Sequence, residues 1–290
     1  VSTVDHSDPP VSDTRVGPAG GGNRRDPVRT AVRAIGELLI TAGLVVLLFV
    51  VYEVYVTDIT SAAKQRDATA ALDQEWQQGT PEEQQQRQEH YDGPEGSGIA
   101  KMYVPAFGAD YSFTILRGTT EKTLEVGPGH YTESGDPGLP GNFAVAGHRV
   151  GKGAPFNDID LLNSCDAIVV ETRFSWFVYR VLPKADEVAD WASRAADPRC
   201  TGVGPLGAPY DRVVGQEIVS PTQGSVILPV PNRDDVTDNA GATASLMTLT
   251  TCHPRFSDRE RLVVHAVMVK QWAKNPDKPG ETPPELKETS

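Results

Sequence analysis

Apolar and polar positions divide this chain into three regimes. In the first they do not alternate at all. Leu38 to Val56, LLITAGLVVLLFVVYEVYV, runs for 19 residues with one charge, Glu53, near its far end. A helix of that length spans about 28 Å, close to the hydrocarbon thickness of a bilayer, and satisfies its own backbone groups there. Tyr52 and Tyr55 fall at the outer end, where rings with a polar tip suit the interface. The pattern predicts a transmembrane anchor helix over residues 34–57. A buried core helix and a cleaved signal peptide are the alternatives. The run is long for the first. For the second, the basic region begins late and no clean small-residue cleavage motif follows.

The second regime, residues 58–97, is strongly polar. Its first part favours helix, with Leu72 and Trp76 at i,i+4, until Gly79-Thr80-Pro81 interrupts it. Too few apolar positions repeat for a coiled coil. The expectation is a juxtamembrane spacer that lifts the next domain off the lipid.

From Gly98 onward, short apolar runs are broken by Gly, Pro and Asp. Met102 to Val104, Tyr111 to Leu116, Asn142 to Ala146, Ala167 to Thr172 and Trp176 to Val181 read as strands. So do Val213 to Val219, Val226 to Val230, Leu246 to Thr251 and Leu262 to Val269. No long amphipathic helices alternate with them, which predicts an all-β barrel or sandwich over residues 98–272. One helix is expected at Asp186 to Ala196, inside a long insert at 183–212. Residues 273–290, rich in Pro, Glu and Lys, are expected to be a flexible tail. Residues 1–33 are expected to be a disordered tail, since Gly17 to Gly22 offers almost nothing to bury.

Charge changes the picture in two places. The net charge of −12 does not suit a protein that neutralises phosphates, so a non-specific nucleic-acid partner is not expected. Arg24, Arg25, Arg29 and Arg33 precede the apolar run and should hold that end in the cytoplasm, leaving the bulk of the chain outside.

The chain has three cysteines, Cys165, Cys200 and Cys252, too few for a disulfide scaffold. Cys165 and Cys200 could pair and leave Cys252 free, but Cys165 precedes an apolar run, so packing explains it as well. Cys252 ends the run Ser245 to Thr251, on the face opposite Met247 and Leu249. That face can open to a groove. On composition, a functional thiol and an ordinary buried one are equally open. A thiol nucleophile needs a proton acceptor. Among six histidines, His148 closes the run Asn142 to Gly147 at a loop entrance and is the best base. His130 follows a Gly-Pro-Gly turn and is a rim candidate, and packing explains His265. His253 neighbours Cys252, but adjacent side chains on an extended chain point apart. Positive charge for an oxyanion is best placed at Arg261, which opens the last strand. Arg255 and Arg259 are rivals in the turn before it. No metal-ligand spacing, dinucleotide fingerprint, phosphate loop or nucleophile elbow is present, so no cofactor or metal is expected.

Three ordered motifs then resemble a sortase. They are T-L-T-T-C-H-P at Thr248 to Pro254 followed by Arg261-Leu262-Val263-Val264, G-N-F-A-V-A-G-H-R at Gly141 to Arg149, and D-A-I-V-V-E-T at Asp166 to Thr172. The resemblance implies an eight-stranded β-barrel with short helices and a surface groove. It maps the family's histidine, cysteine and arginine onto His148, Cys252 and Arg261. With the Tyr103-Val104-Pro105 opening, it is most similar to class E housekeeping enzymes of actinobacteria. These join surface proteins bearing a C-terminal L-A-x-T-G or L-P-x-T-G type signal to an amine of peptidoglycan precursor, through a cysteine thioester. The resemblance further implies substrate-binding roles for Tyr103, Thr250, Thr251 and His130. It leaves a pilus-polymerising sortase and a hydrolytic cysteine peptidase as variants, and a non-enzymatic envelope module as the outside alternative.

Overall fold

A computed structural model describes residues 27–52, 57–78, 91–278 and 280–288. The chain divides into two compact units, one ending at Phe49 and the other beginning at Val50. In the first unit, helix α1 runs from Pro27 to Val51. Its apolar side chains are exposed, and its most apolar 18-residue window has a mean hydropathy of 2.6. A helix so apolar on every side, with none of that window buried, has the length and composition of a single-pass membrane anchor. Residues 27–33, expected to belong to the disordered tail, form the first turns of α1; the tail up to residue 26, and Tyr55, lie outside the described residues.

The second unit is a β-barrel. Its strands are β1 Gly98–Tyr103, β2 Ser112–Arg117, β3 Gly129–His130, β4 Gly141–Ala146 and β5 Ala167–Glu171, then β6 Ser175–Val181, β7 Gln216–Val219, β8 Ser245–His253 and β9 Glu260–Ala273. They hydrogen-bond in the order β6-β5-β1-β2-β3-β4-β8-β9-β7, and β6 also pairs β9. Eight strands therefore close a ring. β7 is a ninth, sharing one edge of β9 with β6, because β9 is 14 residues long. Phe143, Val145, Tyr179, Met247, Leu249 and Val264 fill the interior. Met247 and Leu249 alternate with Thr248 and Thr250, so the strand period turns Cys252 to the outer face, as the sequence pattern predicts.

Several elements differ from expectation. Val226 to Val230 is not a strand. It forms a 3-10 turn, Gly224–Ile227, and a loop whose Val226 and Leu228 carbonyls accept from the Asn142 side chain at 3.2 and 3.0 Å. Pro229 and Pro231 cannot donate to a ladder, which explains the loop. Of the helix expected at Asp186 to Ala196 only Trp191–Arg194 (α4) forms, and a 3-10 turn follows at Pro198–Cys200. Cys165 and Cys200 form a disulfide, packed with Trp191 and Val203.

The expected spacer contains helix α2, Thr57–Gln78, and this helix lies on the barrel. Leu72 is 3% exposed, and Gln65 both donates to and accepts from the Thr114 backbone at 3.0 Å. The buried residues Ser61, Gln65 and Leu72 follow a helical spacing, a face that polarity concealed from a hydrophobicity reading. The C-terminal segment, expected to be flexible, also packs. Glu288 pairs with the buried Arg180 at 2.7 Å, and Glu285 is buried against Lys270.

Candidate active site

β4 and β8 run parallel, with Ala146 opposite Thr250. His148, two residues past the end of β4, and Cys252, near the end of β8, line the same cleft. β8 and β9 run antiparallel, with Cys252 opposite Arg261. Three residues distant in sequence thus meet at one barrel edge. The cause is local: Gly147 ends the apolar run of β4, and its N–H still donates to Thr250 O at 3.1 Å. A Cβ on Gly147 would lie 2.6 Å from the Phe156 ring, so this close approach requires glycine.

His148 and Cys252 line one cleft of about 290 Å³, together with Arg149, Val150, Phe256, Ser257 and Asp258. Cys252 is partly exposed and is the free thiol. The Nε2 of His148 is buried and has no hydrogen-bond partner among the described residues. It lies 4.0 Å from Glu121, in the short helix α3 (Glu121–Leu124), and Glu121 pairs with Lys152. Burial pushes the imidazole below its ordinary value. The Lys152 ammonium adds to that, and Glu121 and Glu125 oppose it. The loop carrying His148 is braced by α2, since Lys152 N–H and Gly153 N–H donate to Thr57 and Asp58 side chains at 3.3 and 2.9 Å.

Arg261 stands beside Cys252 in register, but its guanidinium donates to the carbonyls of Asp258 and Glu260 at 2.9 and 3.0 Å and does not line the cleft. Thr250 and Thr251 lie on β8 just before the thiol. Thr251 turns inward and donates to Gly147 O at 2.7 Å, tying the two strands. Thr250 turns outward and shares a 3.0 Å hydrogen bond with Tyr131.

Two sequence-based candidates sit elsewhere. Tyr103 packs on Trp176 and donates to Glu171 at 2.6 Å, on a strand separated from β4 by β2 and β3. His130 is opposite Val145, whose side chain is in the core, and its ring lies 5.0 Å from Phe143. Its Nε2 holds the following turn through Gly135 O and Ser134 Oγ, both at 3.1 Å. Burial drives its pKa down to about 4. It is a neutral packing residue, not a rim residue, because its strand is too short for an alternation pattern to show which way it faces.

The sequence reading missed Arg149 and Phe256. Arg149 is 4% exposed despite its charge. Phe256 is 81% exposed at the cleft, an apolar residue in an otherwise polar turn. That contrast was available in the sequence; the burial of Arg149 was not. Among the described residues no cluster of three or more His, Cys, Asp or Glu side chains is placed to hold a metal ion.

A free thiol, a buried imidazole and a nearby guanidinium at a barrel edge suit acyl transfer through a thioester. Comparison with known proteins agrees with this. The family model of the sortase domain matches residues 102–269. Sortase SrtE1 of Streptomyces coelicolor is 30% identical over 259 residues, 86% of this chain and 60% of SrtE1. The chain thus spans less than two thirds of that relative. Sortase SrtE2 of the same organism is 37% identical over 184 residues, 58% of this chain and 70% of SrtE2. Among solved structures, the SrtF sortase from Corynebacterium diphtheriae aligns with a TM-score of 0.58 at 43% identity, covering 69% of this chain and 97% of that one.

Proposed function

The chain belongs to the sortase family, and we propose that it is a membrane-anchored cysteine transpeptidase acting outside the cell through Cys252, His148 and Arg261. The observation that carries this reading is the one cleft that Cys252 and His148 share, with Arg261 opposite Cys252 on β9.

The Cys252 thiolate attacks the threonine carbonyl of a C-terminal L-A-x-T-G or L-P-x-T-G type signal. Arg261 turns from its loop carbonyls toward the developing oxyanion. Imidazolium His148 gives its proton to the leaving glycine amine, and the Thr–Gly bond breaks to leave a thioester. An amine of peptidoglycan precursor then attacks the thioester, His148 takes its proton, and the thiolate departs as the new amide forms. The apolar side chains around the cleft, Val150 and Phe256, offer contact area for orienting the signal peptide. The four arginines before the apolar run, of which Arg29 and Arg33 lie in the first turns of α1, favour a cytoplasmic N-terminus, which sets the barrel outside.

The test is incubation of the chain with peptides carrying L-A-x-T-G or L-P-x-T-G and a soluble amine, read by mass spectrometry. Ligated product and a thioester on Cys252 are expected, both absent in Cys252→Ala and His148→Ala. Hydrolysis without ligation at saturating amine would replace transpeptidase with peptidase. No adduct on Cys252 would end the reading.

A further inference from the structure

Arg149 follows His148 directly, yet its side chain serves the strand that carries Cys252. Its guanidinium donates to His253 Nδ1 at 2.7 Å and to the Cys252 carbonyl at 3.5 Å, and it pairs with Asp160 at 3.0 Å. Asp160 lies in the 3-10 turn Ile159–Leu161. The position matters because of where the sheet ends. The β4–β8 ladder stops at Ala146 and Thr250, and the last bond on that side is Gly147 N–H to Thr250 O. Beyond it, the Arg149 guanidinium reaches residues 252 and 253 on the edge of β8 that β4 has left. On the other edge β9 continues, with His253 opposite Glu260.

A guanidinium only donates hydrogen bonds and stays charged. His253 therefore accepts through Nδ1, which puts the ring proton on Nε2. Asp160 holds the guanidinium from behind, and Arg255, two residues past His253, is bonded to Asp158 at 3.0 Å.

We propose that Arg149 is a positioning residue: it fixes the end of β8, and with it the Cys252 sulfur relative to His148. This deepens the transpeptidase reading and rests on it. An ion pair with Asp160 alone would explain a buried arginine. The bonds to residues 252 and 253 give it a role in the site, because they join the base's loop to the nucleophile's strand with one planar group.

The experiment uses the full chain in detergent micelles, with an L-A-x-T-G peptide and triglycine. For Arg149→Met, kcat should fall about 100-fold, as a displaced reacting group costs, with KM changed less than about threefold. Arg149→Lys should recover about tenfold of that loss, since an ammonium can reach one acceptor but not all three groups. His253→Asn keeps an acceptor at the Nδ1 position and should hold kcat within about twofold of the parent. His253→Leu should lose kcat as Arg149→Met does. Alkylation of Cys252 by iodoacetamide needs no signal peptide and is measured in parallel. Arg149→Met should change its rate and His253→Asn should not. Unchanged kcat and alkylation in a folded Arg149→Met chain overturn the proposal, as does a loss confined to KM. A loss of kcat in His253→Asn as large as in His253→Leu would also overturn it. If the parent chain ligates nothing, the transpeptidase reading fails by itself, and the alkylation rates still decide whether Arg149 places the thiol.

Discussion

Cys252 and Arg261 face each other across the β8–β9 ladder, while the Arg261 guanidinium is held by the carbonyls of Asp258 and Glu260 in the turn that joins the two strands. Strand pairing fixes the backbone positions, and side-chain torsions alone separate the loop-bound guanidinium from the thiol. Arg261→Ala should therefore cost turnover about 100- to 1,000-fold, as loss of an oxyanion donor does. It should change unfolding free energy by less than about 1 kcal/mol, because the lost bonds are exposed. Single-turnover thioester formation and urea denaturation would separate the two effects.

His148 should respond to its two charged neighbours in opposite directions. Lys152→Ala removes a cation and should raise the imidazole pKa; Glu121→Gln removes an anion and should lower it. The folded-state value lies below the ordinary 6.5, so the unfolded chain takes up this proton first as pH falls. His148 thus costs no stability well above pH 6.5 and destabilises the fold increasingly below it. NMR titration of the His148 ring in the three proteins would check the order.

His130 carries a larger cost of the same sign. With a folded pKa of about 4 against 6.5, its desolvation removes about 3 kcal/mol of stability as pH falls from 6.5 to 4. His130→Gln should be less stable than the parent at neutral pH, yet lose less on acidification. Denaturation curves at pH 7.5 and 4.5 would show whether the two lines converge. Parallel lines would remove His130 from the acid response.

The Cys165–Cys200 bridge closes a 35-residue separation on the side of the barrel holding Trp191 and Val203. Replacing both cysteines by alanine should cost about 2–4 kcal/mol through the unfolded state. Thioester formation at Cys252 should persist in the fraction that remains folded, since neither sulfur lines the cleft. Thermal unfolding with and without reductant gives the first number, and intact mass with substrate gives the second.

Helix α2 should behave as part of the barrel. Leu72→Ala should destabilise by about 2–5 kcal/mol, the range for a buried leucine, although it sits in a segment of polar composition. A soluble domain beginning at residue 57 should also unfold at higher temperature than one beginning at residue 91. Equal melting temperatures would mean the helix contributes nothing.

Much of this was legible along the chain. The apolar run of α1 needs no partner to be recognised, because lipid-spanning length is a property of one segment. The strands that lead into His148 and carry Cys252 and Arg261 show the short apolar runs of extended chain, and the order of their motifs names the family. Alternation also turned Cys252 outward before any contact was known. What the sequence left open depends on contacts between segments far apart. Whether Cys165 meets Cys200, whether Ser61, Gln65 and Leu72 cover a helix face, and where Tyr103 and His130 point are decided by which strand closes beside which. Arg149 is the sharpest case. A charged residue beside a glycine-rich loop reads as solvated, and only the place where β4 ends and β8 continues buries it against the carbonyl of Cys252. Periodicity is set by the local backbone, whereas burial of a polar group is set by the partner that satisfies it.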